Sequence, residues 1–118
     1  MATLLALILL AAPAGGQTKL SITVWPRGPE GAADHYTLGC APARGTLPSP
    51  GIACRKLAAL SAPFAPTPKD EVCTMIYGGP QVARVTGTLR GRKVWVTLRR
   101  RNGCEIDRWN RVSFLLPQ

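Results

Sequence analysis

Cys73 stands two residues ahead of Met75 in an uncharged run, Val72-Cys73-Thr74-Met75-Ile76-Tyr77, that follows Glu71. Two kinds of chemistry are open to such a run. Its thiol can cross-link with another of the chain's four cysteines, the rest being Cys40, Cys54 and Cys104. An apolar segment fixed by that bond is what a protease would meet as a cleavable peptide held rigid. Met75, unbranched and apolar, suits a large hydrophobic specificity pocket, and a cross-link beside it lowers the entropic cost of holding the bound shape.

Other chemistries find little here. A hydrolase needs a nucleophile, a base and an orienting group brought together. His35 is the sole histidine, and Ser49, Ser61 and Ser113 lie in no recognisable nucleophile turn. Asp70 and Glu71 sit beside Lys69 as a solvated charge cluster does. The cysteines lack zinc spacing, because no two lie within five residues of each other. The sequence therefore reads as no enzyme, with no metal and no cofactor.

Residues 1–14, MATLLALILLAAPA, are uncharged, apolar from Leu4 to Ala12, and end in the small-x-small pattern Ala12-Pro13-Ala14. This reads as a signal peptide, and the apolar stretch is shorter than the ~20 residues of a membrane span, so the expectation is secretion without a membrane partner. Residues 15–118 then form one domain, and four cysteines in an exported chain of this size read as two disulfides with three pairings open. Lys and Arg outnumber Asp and Glu by 15 to 6, a net charge of +9, with Arg90, Arg92, Lys93, Arg99, Arg100, Arg101, Arg108 and Arg111 crowding the last third. No nucleic-acid motif accompanies them, so nucleic acid is not expected as a partner. A basic exported module that binds an acidic polymer or cell surface remains the alternative reading.

The elements that must position the run follow from periodicity. Thr18–Trp25 alternates Leu20, Ile22 and Val24 with polar residues, a half-buried strand, and Tyr36–Cys40 reads as a second. Pro50–Leu60, carrying Ile52, Leu57 and Leu60, reads as a short helix that Pro63, Pro66 and Pro68 cannot continue. Gln81–Arg90 and Lys93–Leu98 form a hairpin turning at Gly91. Glu105–Asn110 makes a helical turn, and Arg111–Leu116, with Val112, Phe114 and Leu115, reads as a last strand. Prolines before Glu71 and Gly78-Gly79-Pro80 after Tyr77 favour an exposed loop or edge for the run. Periodicity alone leaves a buried strand equally open for Met75 and Ile76.

Val72–Tyr77, taken with Tyr36-Thr37-Leu38-Gly39-Cys40-Ala41-Pro42, Ala53-Cys54-Arg55-Lys56-Leu57 and Asn102-Gly103-Cys104-Glu105-Ile106, resembles the Streptomyces subtilisin inhibitor family across nearly all of the chain after the signal. The resemblance implies an α+β fold, a five-stranded antiparallel sheet with two short helices, and the disulfides Cys40 to Cys54 and Cys73 to Cys104. It also implies a reactive, scissile-type bond Met75-Ile76 in a protease-binding loop, with Val72, Cys73 and Thr74 on its amino side and Tyr77 on its carboxyl side. The implied partners are a subtilisin-like, or trypsin- or chymotrypsin-like, serine protease and a second copy of the chain in a homodimer joined by sheet surfaces. Val94, Val96 and Leu98 are a hint of an uncovered sheet face. The chain departs from the family pattern at Thr74, where many members carry proline, in a Cys40 to Cys54 loop that is slightly short, and at Gly78-Gly79-Pro80, one residue longer than usual.

Overall fold

The alternation of Thr18, Leu20, Ile22 and Val24 with polar residues turns one face of β1 (Thr18–Trp25) into a buried row. A computed structural model describes residues 16–118, so the expected signal peptide lies outside the described residues. β1 pairs antiparallel with β2 (Asp34–Cys40) on one side and β3 (Val82–Leu89) on the other, and β4 (Arg92–Leu98) completes a four-stranded sheet in the order β2-β1-β3-β4. Register places Ile22 opposite Tyr36 and Val85, and Val85 opposite Val96, so one face carries a continuous apolar surface. The β3–β4 turn has two residues, Arg90 and Gly91, both at positive φ (49° and 82°), the backbone whose twist matches the flanking strands.

The long connection from β2 to β3 carries α1 (Pro50–Ala58), and α2 (Gly103–Arg111) follows β4. Leu57 of α1, Trp109 of α2, and Val112, Leu115 and Leu116 beyond it pack with Leu20, Ile22, Leu38, Val85 and Leu98 of the sheet in a single core. Each such aliphatic side chain contributes about 1.5–3 kcal/mol on full burial. Arg90 ties hairpin to helix by donating to the carbonyls of Leu57 and Leu60 at 3.4 and 2.9 Å, where the α1 dipole leaves negative charge. The disulfides pair Cys40 with Cys54 and Cys73 with Cys104, with Cα separations of 5.7 and 5.3 Å.

The fold corrects the expected strand count from five to four. Arg111 ends α2, and Ser113–Leu115 is a single 3-10 turn. Trp109, Val112, Leu115 and Leu116 are all buried, and their spacing of three and four residues is the helical period. The alternation of Val112 with Phe114 was a coincidence of that pattern. Glu105–Asn110 extends to a full helix, and Ile52 of α1 is 46% exposed, the helix burying Ala53 and Leu57 instead. Leu98 is buried and Val94 and Val96 pack on the core, so these three residues do not form an uncovered face. The outer face of the sheet shows Trp95, 76% exposed, with the Arg84 guanidinium 5.5 Å from its ring centre.

Candidate functional site

Residues 69–80 contain no strand or helix. Prolines at 63, 66 and 68 deny the segment helical continuation, and the Glu71 amide closes a turn on the Pro68 carbonyl at 3.1 Å. From there the chain is attached to the segment linking β4 and α2. The Cys73 to Cys104 bond makes the first attachment. The Gly103 amide donates to the Thr74 carbonyl at 2.8 Å, and the Gly78 amide donates to the Arg100 carbonyl at 2.6 Å. Arg100 Nε returns a bond to the Gly78 carbonyl at 3.2 Å.

Between these clamps stand Met75, Ile76 and Tyr77, 88, 61 and 67% exposed, with Val72 at 94% just outside. Four large apolar side chains held in water within six residues mark an interaction surface, because water disfavours that exposure unless another surface covers it. The Met75-Ile76 peptide bond lies inside the clamped interval, with Thr74 on one side and Tyr77 and Gly78 on the other.

The platform under the loop is itself fixed. Asn102 caps α2, its Oδ1 accepting from the Glu105 amide at 3.0 Å. Glu105 turns back to accept from the amide of Arg101 at 2.9 Å and from its guanidinium at 3.0 and 2.9 Å. The Arg101 hydrogen bond holds the Glu105 carboxyl below its ordinary pKa, with partial burial working against the shift. The guanidinium of Arg100 lies 5.6 Å from the centre of the buried Trp109 ring and donates to Asn110 Oδ1 at 3.2 Å. Close approach is built in at two glycines. A Cβ at Gly78 would come within 2.8 Å of the Ile106 side chain, and one at Gly103 would land on Thr74 Oγ1. Gly79, with φ of 123°, makes the bend at the loop's exit.

The sequence residues Val72, Cys73, Thr74, Met75, Ile76 and Tyr77 thus share one loop, joined through Cys73 to Cys104. Cys40 and Cys54 lie elsewhere, fastening α1 to β2. His35 Nδ1 is 3.1 Å from Thr23 Oγ1 on the outer sheet face. Among the described residues no cluster of His, Cys, Asp and Glu could hold a metal, and no helix is long and apolar enough to cross a membrane. Sequence reasoning passed over Arg100, Asn102, Gly103 and Ile106 as working parts of the platform. In sequence Arg100 reads only as one charge in a basic cluster, whereas Arg90, Arg100, Arg101 and Arg108 all hold carbonyl or carboxylate oxygens within the molecule.

A sheet covered on one face by two helices, with a disulfide-anchored apolar loop clamped outside its core, defines a scaffold for presenting one peptide segment. The family model described as Subtilisin inhibitor-like matches residues 16–102, and the chain belongs to this family of protease inhibitors. The match covers β1 through the loop and β4, and ends two residues before Cys104. No match was found among curated proteins.

Proposed function

We propose that the protein is a secreted inhibitor of subtilisin-like serine proteases, binding as a substrate through residues 72–77 with Met75-Ile76 as the reactive bond. The observation that supports this most is the pair of clamps on either side of that bond. An extended loop enters a protease cleft by main-chain pairing, with side chains filling successive pockets. Met75 enters the primary specificity pocket, Val72, Cys73 and Thr74 occupy the amino side, and Tyr77 the carboxyl side.

Attack by the protease serine on the Met75 carbonyl forms an acyl bond and frees the Ile76 amine. Cys73 and Thr74 hold the acyl half to Cys104 and Gly103, and Gly78 holds the amine half to Arg100. The amine therefore stays beside the acyl carbon at high effective concentration and re-forms the peptide bond. The result is a slowly cleaved substrate.

Export by removal of residues 1–14, leaving a domain of 15–118, accords with a chain stabilised by two disulfides. A homodimer through the outer sheet face is part of the reading, supported by the exposure of Trp95. Titrating subtilisin with the secreted protein tests the function: activity should fall in proportion to inhibitor added and reach zero at one loop per enzyme. Full activity at excess inhibitor would reject the reading and leave a binding module for an acidic polymer in its place. Mass spectrometry of the secreted protein checks the start at Gly15, and sedimentation at micromolar concentration checks the dimer.

A further inference from the structure

The charge of +9 is not spread evenly over this fold. Strand register defines two ends of the sheet: Trp25, Asp34, Val82 and Leu98 lie at the end that bears the loop, and Thr18, Cys40, Leu89 and Arg92 at the other. All six carboxylates belong to the loop end. Asp34 opens β2 there and Glu30 lies in the β1–β2 connection, where Pro80 lies close beside Gly28. Asp70 and Glu71 lead into the loop, and Glu105 and Asp107 stand on α2 beneath it. The other end carries Lys19, Arg44, Arg90, Arg92 and Lys93 at strand termini and turns, with Arg55 and Lys56 on the adjoining α1, and no carboxylate. Seven of the nine net charges therefore sit at one pole. β3 alone, with eight residues, separates that pole from the loop by about 25 Å at the usual rise per residue.

The basic pole is also shaped. An open cleft of about 660 Å³ runs between the Ser61–Ala65 connection and the β3–β4 hairpin. Pro63, Phe64, Leu89 and Val94 line it with apolar surface, and Arg92 and Lys93 stand exposed at its rim. Arg90 lends its charge with its hydrogen bonds already given to main-chain carbonyls. Of the large exposed apolar residues, Ile52 of α1 belongs to this end, and Trp95 lies midway along β4 on the outer face of the sheet. Single-stranded nucleic acid requires exposed aromatic rings for base stacking, and a bilayer requires an exposed apolar face. Neither is present. A cleft with an apolar floor and cationic rim fits a chain of sugar rings, whose C–H faces pack on the half-buried Phe64 and Val94 while acidic substituents meet Arg92 and Lys93.

We infer that this pole is a docking surface for an acidic polysaccharide, sugar rings bearing carboxylate or sulfate groups, which it holds while the loop at the opposite end stays free. The surface is independent of the inhibitory reading. It would keep the protein close to an anionic matrix by a field that reaches about a Debye length in physiological salt.

Heparin, sulfated, and polygalacturonate, carboxylated, are suitable probes. The secreted, disulfide-bonded protein should bind at least one at about 0.15 M salt, and Arg92→Glu with Lys93→Glu should weaken that binding by about tenfold or more, as expected when cationic contacts to a polyanion are reversed. Arg27→Glu with Lys69→Glu, the same charge change at the loop end, should leave it within about twofold. Both double variants and the polymer-bound protein should inhibit subtilisin as the original does. The inference is overturned by failure to bind either polymer, by equal weakening in both variants, by inhibition lost on polymer binding, or by single-stranded DNA or phosphatidylserine vesicles binding as tightly as the polysaccharides. A protein that binds polymer but leaves subtilisin active overturns the proposed function alone. One that inhibits but ignores both polymers overturns this inference alone.

Discussion

Gly103 and Thr74 meet backbone to backbone: the Gly103 amide donates to the Thr74 carbonyl at 2.8 Å, and a Cβ at Gly103 would collide with Thr74 Oγ1. A side chain at 103 must push the loop away or rotate Thr74. Gly103→Ala should weaken subtilisin inhibition by about tenfold, equivalent to about 1.4 kcal/mol. Thr74→Ala removes the colliding hydroxyl, and adding it to Gly103→Ala should restore most of the loss. Inhibition constants for both single variants and the double variant measure the coupling directly. Simple additivity would show that the contact does not set the loop.

Arg100 holds the other flank. Arg100→Met keeps an unbranched side chain on the Trp109 ring and keeps the main-chain bond to the Gly78 amide, yet removes the charged donors to the Gly78 carbonyl and Asn110. A hydrogen bond to a charged group contributes about 1.5–3 kcal/mol when shielded and less here, where Arg100 is only half-buried. Initial inhibition should change little. Cleavage at Met75-Ile76 on long incubation with a trace of subtilisin should accelerate by about tenfold, because the freed amine is then held near the acyl carbon by one bond instead of two. Arg100→Lys should recover part of the difference. Chromatography of the nicked chain reads the rate, and unfolding temperatures show whether stability moved instead.

Met75 is 88% exposed and serves no core contact. Met75→Lys should leave the fold intact and shift preference toward trypsin-like enzymes, whose primary pocket ends in a carboxylate. Met75→Asp should weaken subtilisin binding by a hundredfold or more, since a charge entering an apolar pocket without a partner costs at least about several kcal/mol. Unchanged inhibition by a folded Met75→Asp protein would place the reactive bond elsewhere.

Acid should loosen the platform through Glu105. Its carboxyl is held low chiefly by the Arg101 hydrogen bond, so it contributes stability above the ordinary carboxyl pKa of about 4.3. That contribution disappears as pH falls through the depressed value, when the carboxylate gains a proton and the Arg101 pair is lost. Glu105→Gln has no such charge to lose. Unfolding temperatures measured at pH 7 and pH 3 should fall less in Glu105→Gln than in the original protein, with the gap between them widest at neutral pH.

Sheet strands were legible where one face is buried and the other wet. In β1 the alternation of Leu20, Ile22 and Val24 with Lys19, Ser21 and Thr23 fixes both element and face, and the boundaries match the structure. The C-terminal segment misled because Val112 and Phe114 alternate locally, while the buried set begins at Trp109, outside the window in which a strand was read. The outward face expected of Val94, Val96 and Leu98 failed for a different reason: alternation tells that one side is buried but not which body covers it, and here α2 and the turn after it do. The loop's exposure was signalled by proline and glycine on both flanks. Its clamps were not, because an amide at 103 meeting a carbonyl at 74, or a guanidinium at 100 reaching residue 78, depends on tertiary approach that no local pattern encodes. An arginine run also looks the same in sequence whether its charges face water or cradle carbonyls.

The groups that hold the loop and the groups that face outward from it are different atoms. Holding is done by main-chain amides and carbonyls at positions 74, 78, 100 and 103, by the Cys73 bridge and by the Arg100 side chain, whereas Met75, Ile76 and Tyr77 project from the structure. A lineage can therefore rewrite those three letters without renegotiating the fold, so that a population facing a changing set of enzymes would explore new targets by single codon changes. The same separation makes the chain a display frame, into which unrelated tripeptides could be written and selected by what they capture.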